Sequence, residues 1–161
     1  MEFLPGLKGM LNYHPVFVHF PIAFWVGALL FELLAIVRKK EELHRTARRL
    51  LYAGTIFAAA AVWTGLYAQE SVPEAGGAQE VLLIHQRMML LATSLAVGLC
   101  MLAAFKREMS SALRKLFLLG LLALAALMGI GADRGAQLVY QYATGVDLSK
   151  EMRQQQRPSV P

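Results

Sequence analysis

The sequence is poor in charge and nearly devoid of cysteine. Asp, Glu, Lys and Arg make up 17% of its 161 residues, against 57% hydrophobic residues. Soluble domains carry about 25% charged residues, so the shortfall points to the membrane class. The single cysteine, Cys100, excludes an intrachain disulfide and any multi-cysteine cluster. Lying in an apolar run, it reads as a small buried hydrophobe. No nucleophile–base motif, phosphate-binding glycine loop or metalloprotease pattern is present, so classical enzyme chemistry gets little support. Lys and Arg are absent from residues 69–80, although the chain carries 16 of them and a net charge of +5.

What is present is a set of four long apolar runs, at about residues 16–37, 50–68, 81–105 and 113–130. A run of about 20 apolar residues crosses the hydrocarbon core of a bilayer. The expected fold is therefore all-α, an integral membrane four-helix bundle over residues 1–147, with residues 148–161 as a polar tail. From Gln154 onward the tail reads as disordered. Residues 1–13, with Phe3, Leu4, Leu7, Met10 and Leu11, suit a short interfacial segment. They lack the charged start of a signal peptide, and Arg38-Lys39-Lys40 closes the following run as a stop-transfer signal does. Pro15 suits the first position of a helix, and Pro21 removes a hydrogen bond one turn inside. Gly54, Ala58, Ala61 and Gly65 in the second run suit close helix packing in lipid. Gly129 to Gly135 reads as the end of the fourth run.

The placement of charge gives an orientation. The first and third connectors hold Arg38, Lys39, Lys40, Arg45, Arg48, Arg49, Lys106, Arg107, Arg114 and Lys115. The middle connector holds Glu70, Glu74 and Glu80 with Pro73, Gly76 and Gly77. The positive-inside rule puts the basic connectors in the cytoplasm and both termini on the outer, periplasmic side. The excess positive charge is then an orientation signal, which argues against nucleic acid and leaves membrane lipid as the expected surrounding.

Histidines inside apolar segments are candidates for function. Counted from the starts of their runs, His19 and His85 both lie about 5 to 6 Å into their helices. His14 lies above them near the outer surface, and His44 reads as an ordinary solvated residue of the first basic connector. Two imidazoles on facing helices can supply the axial ligands of a haem iron. They can also supply half of a zinc or copper site, with His14 as a further ligand. The plain alternative is a histidine at the headgroup interface, or bonded to a neighbouring carbonyl such as that of Phe17. Arg87 and Arg134 fall at the outer boundary, where they can bind haem propionates or snorkel to phosphate headgroups. Glu32 reads as a proton-relay group or as a residue that reaches a partner in the basic connector. Trp25 and Trp63 read as core or lipid-facing. Met88, Met89 and Met101 read as packing residues, Met88 with a weaker second reading as a haem ligand.

The run His14-Pro15-x-x-Val18-His19-Phe20-Pro21-Ile22-Ala23 resembles the opening signature of a bacterial family of predicted four-helix membrane proteins of unknown function. In that family a histidine commonly opens the third helix, a position that His85 matches. Its closing glycine-rich segment resembles Gly135-Ala136-Gln137-Leu138-Val139-Tyr140 and Gly145-Val146, with Ala136 in place of a second glycine. The resemblance spans about residues 12–147. Some members are joined to Rieske iron–sulfur domains or encoded beside cytochromes, which implies respiratory electron transfer in the bacterial inner membrane. This chain has no Rieske ligand set, so such a partner is expected to be a separate membrane or periplasmic protein. The leading expectation is a subunit that binds haem b through His19 and His85 and passes electrons between quinone and an outer-side carrier. The alternatives are a cofactor-free structural or assembly subunit, and a metal or proton transport element using His14, His19, His85 and Glu32.

Overall fold

The computed structural model describes residues 10, 12–72, 76–106 and 109–146. The expected interfacial segment at 1–9 and 11, Pro73, Glu74, Arg107 and the polar tail lie outside the described residues. Four helices account for nearly all of the rest: α1 (His14–Arg38), α2 (Glu41–Ala68), α3 (Gly77–Phe105) and α4 (Ser111–Tyr142). A 3-10 turn, Gln69–Ser71, follows α2. All four helices are long and apolar enough to cross a membrane, with mean hydropathy of 1.5 to 2.2 over their spans. Their outward faces carry large apolar residues such as Ile56 (72% exposed) and Trp63 (66% exposed). On a soluble protein such a surface would aggregate; on a multi-pass membrane protein it contacts lipid.

Two helices depart from the expected bounds. Helix α2 starts at Glu41 rather than near residue 50, so most of the first basic connector is helical. Its opening residues, Glu41 and Glu42, favour the positive end of the helix dipole. Helix α4 does not stop at Ile130. It runs on through Gly129, Gly131 and Gly135 to Tyr142, where Ala143 takes a left-handed conformation and caps it. An interior glycine costs a helix about 1 kcal/mol. Here the missing side chain has a use: a Cβ on Gly131 would collide with Met89, and one on Gly135 would stand 3.1 Å from the His85 ring.

The helices form two hairpins, α1–α2 and α3–α4, which pack side by side so that α2 meets α3 and α1 meets α4. The hairpins obey one pattern. Adding 71 to Pro21, Trp25, Ala28 and Glu32, buried on α1, gives Ala92, Ala96, Leu99 and Ala103, buried on α3. Adding 70 to Ala47, Leu51, Gly54, Ala58 and Ala61, buried on α2, gives Phe117, Leu121, Leu124, Met128 and Gly131, buried on α4. The steps of three and four residues are those of a helix seam packed knobs-into-holes. Sizes are complementary rather than repeated. Trp25 stands where the other half has Ala96, and Phe117 stands where the other half has Ala47. A Cβ on Gly54 would meet the Trp25 indole at 2.6 Å, so that glycine makes room for the largest core side chain of its hairpin. The bundle is thus built as two equivalent hairpins about an approximate two-fold axis along its length.

Candidate paired-histidine site

The seam spacing explains which histidine enters the bundle. His14 lies seven residues before Pro21, and His85 seven before Ala92, so both extend the buried seams of their helices. His19 is five residues past His14, about 140° further round the helix. The structure accordingly places His19 on the exposed face. Its Nδ1 sits 2.5 Å from the carbonyl oxygen of Pro15, one turn back on its own helix. The structure therefore does not bring His19 to His85. Depth counted from the start of an apolar run ignored the direction of the side chain, and the bonded-to-a-carbonyl alternative describes His19 here.

The residue facing His85 is His14. The ring centroids are 6.4 Å apart and the planes nearly perpendicular, at 86°. Both rings are half-buried and held in the same way. His14 Nδ1 is 3.0 Å from the Ala61 carbonyl of α2, with Thr64 Oγ1 at 3.3 Å. His85 Nδ1 is 2.7 Å from the Gly131 carbonyl of α4. A carbonyl only accepts, so Nδ1–H is the donor in each case, and in the neutral ring Nε2 keeps its lone pair. Each ring also lies against a glycine one turn beyond its acceptor. A Cβ on Gly65 would stand 3.0 Å from His14, and one on Gly135 would stand 3.1 Å from His85. Ala61 with Gly65 and Gly131 with Gly135 correspond under the same shift of 70. The two histidines are equivalent residues of the two hairpins, and they meet at the axis between them.

The other expected site residues do not join this pair. Arg87 is exposed on α3. The Arg134 guanidinium donates to Gln137 Oε1 at 2.8 Å and has Asp133 at 4.0 Å. Neither arginine has a described contact with His14 or His85. Met88 and Met89 pack near Gly131 on α4, consistent with a packing role. Cys100 is half-buried and its thiol donates to Thr55 Oγ1 of α2 at 3.3 Å. Among the described residues, no group of three or more His, Cys, Asp or Glu side chains converges on one point.

At the opposite, basic end a second polar group was not expected. His44 is not a solvated residue: it is 1% exposed, and Glu32 is fully buried. Because α2 begins at Glu41, His44 falls on the α2 seam, three residues before Ala47. Its Nδ1–H donates to Glu32 Oε2 at 2.5 Å. Arg114 of α4 donates from Nε to Glu32 Oε1 at 3.4 Å and places a terminal nitrogen 3.2 Å from Glu41. The Phe117 ring stands edge-on to the His44 ring, with centroids 5.7 Å apart. Glu32 thus does reach partners from the basic connectors, as one of its two expected readings held. Trp25 is core, at 3% exposed, and Trp63 faces outward.

No curated protein and no solved structure matches the chain. The profile of one family, described as "Predicted membrane protein (DUF2231)", matches residues 10–148, and the chain belongs to that family.

Proposed function

We propose that the protein is a haem-binding electron-transfer subunit of the bacterial inner membrane in which His14 and His85, rather than His19 and His85, would hold the haem. The equivalence of the two rings about the hairpin axis is the observation that carries this reading. The two rings stand 6.4 Å apart between centroids, so that one group could be held by both. Backbone carbonyls on both Nδ1 atoms supply the outer hydrogen bonds that fix a ligand's tautomer and orientation. A protein-only zinc site needs further ligands, whereas a haem iron needs only two from the chain.

In this reading the group would supply one-electron chemistry, and the chain would hold it and exclude water. The basic end faces the cytoplasm by the positive-inside rule, so the pair stands near the outer surface. There it would serve exchange between membrane quinone and a carrier or partner protein on that side. The purified protein should show a Soret band and yield haem b in a pyridine extract. Protein lacking both after expression with adequate haem supply would remove the proposal.

One observation favours a second reading. Each histidine joins the two helices of its own hairpin, through a carbonyl bond and a glycine contact. Such clamps suffice for a cofactor-free structural or assembly subunit of a membrane complex. That reading expects no chromophore, and a His14→Ala, His85→Ala double variant that keeps the activity of any complex it assembles into.

A further inference from the structure

The two hairpins meet along two flanks, α2 against α3 and α4 against α1. On the first flank a groove of about 450 Å³ opens between Tyr52, Thr55, Ile56 and Ala59 of α2 and Thr93 and Met101 of α3. From Thr93 to Met101 it runs about 12 Å along the bundle at 1.5 Å per residue. Its walls offer little polarity. The Thr55 hydroxyl donates to the Leu51 carbonyl and that of Thr93 to the Met89 carbonyl, each one turn back on its own helix. The Cys100 thiol in turn donates to Thr55. A slot of this kind among lipid-facing residues suits a hydrocarbon chain rather than a polar molecule, which would leave its own polar groups unpaired.

The groove leads to a pair of arginines. Arg45, Arg49, Tyr52, Ile56 and Ala59 follow one another at steps of four and three, so they share one face of α2. Arg45 and Arg49 are exposed. Among the described residues neither side chain has an ion-pair or hydrogen-bond partner. Glu42 lies a turn beyond Arg45 and further from the groove. Tyr52 stands between the arginines and the groove, half-buried against the core, and its hydroxyl has no hydrogen-bond partner among the described residues. Tyrosine is enriched at this level, where hydrocarbon gives way to headgroups. Beside it Arg48 ties α2 to α3 by donating to the Ala103 carbonyl. The other flank is built differently. Under the shifts of 70 and 71, Arg49 corresponds to Leu119, Tyr52 to Leu122, Thr55 to Ala125 and Thr93 to Ile22. Only Arg45 corresponds to a cation, Lys115.

We propose that the α2–α3 flank is a binding site for one phospholipid with an anionic headgroup. One acyl chain lies in the groove, the Tyr52 hydroxyl donates to the ester or phosphate oxygens, and Arg45 and Arg49 hold the phosphate. Charge decides the occupant. A second copy of the chain in the same membrane has the same orientation, so it would set its own basic end against these arginines. An anionic lipid neutralises them instead. The site does not depend on what the paired histidines bind.

The test is native mass spectrometry of the full-length protein in detergent, titrated with phosphatidylglycerol and, separately, with phosphatidylcholine of the same acyl chains. The unaltered protein should retain one phosphatidylglycerol about tenfold more tightly than phosphatidylcholine. Arg45→Gln combined with Arg49→Gln should weaken phosphatidylglycerol about tenfold and leave phosphatidylcholine within about twofold. Ala59→Phe, which fills the groove, should weaken both lipids. Lys115→Gln, on the other flank, should change neither by more than about twofold, since its charge is screened from the site. Equal retention of the two lipids by the unaltered protein would overturn the proposal without any variant. So would phosphatidylglycerol binding that the double arginine variant leaves intact, or a loss in Lys115→Gln as large as in that variant. A stable dimer that Ala59→Phe converts to monomer would make the groove a contact between copies and refute the lipid site.

Discussion

The two ends of the bundle use one helical frame in opposite ways. At the end that carries the paired histidines, both hairpins present the same residue, held by the same kind of carbonyl and set against the same kind of glycine. At the basic end the corresponding seam positions diverge into an acid and an alanine, and into a histidine and an arginine. Equivalent donors meeting on an axis suit a ligand that is approached alike from both sides. Unlike groups collected on one side suit a charge that is held in place. The packing frame does not dictate either outcome, since the intervening layers keep the repeat with apolar residues alone.

The largest expected effect lies at the unsymmetrical end. Glu32→Ala removes the carboxylate that serves both His44 and Arg114, and breaking such a buried pair costs about 3 to 5 kcal/mol. Ala103→Gly, at the corresponding position of the other half, should cost only about 1 kcal/mol. Reversible unfolding in mixed detergent micelles measures both, and comparable losses would erase the contrast between the halves.

The symmetrical end predicts equality instead. Gly65→Val and Gly135→Val each push side-chain atoms into a histidine ring, with a cost of about 1 to 3 kcal/mol from overpacking. The two losses should agree within about 1 kcal/mol in the same unfolding assay, and a large disparity would show that the rings are not held equivalently. Smaller effects follow for the rings themselves in the protein without added ligand. His14→Ala and His85→Ala should each lose about 1 kcal/mol, the worth of one hydrogen bond. His19→Ala, on the exposed face, should stay within about 0.5 kcal/mol of the parent.

The fold was legible in the sequence because hydrocarbon thickness sets the length of an apolar run. Four such runs and two basic connectors left little choice of architecture. Helix ends were less legible. The charges between Arg38 and Arg49 look like a loop to a hydropathy count, and the glycines from 129 to 135 look like a stop. Only the neighbouring Met89 and His85 show why Gly131 and Gly135 sit inside α4. His85 and His14 were visible as candidates, but depth alone promoted His19 in place of His14. The repeating steps of three and four residues back from Glu32 through Ala28, Trp25 and Pro21 would have reached His14. The same steps back from Leu51 and Ala47 on α2 reach His44. The two-hairpin repeat itself stayed hidden, because large residues of one half correspond to small residues of the other, as Trp25 does to Ala96. Matching volumes keep the packing while removing the likeness between the halves.

The most direct test of the central claim is the absorbance spectrum of the purified protein compared across three single variants. With the paired-histidine site as described, the parent shows a Soret band, His14→Ala and His85→Ala each abolish or strongly shift it, and His19→Ala leaves it unchanged. A band that survives His14→Ala but is lost in His19→Ala, or a parent protein with no band at all, would contradict the account.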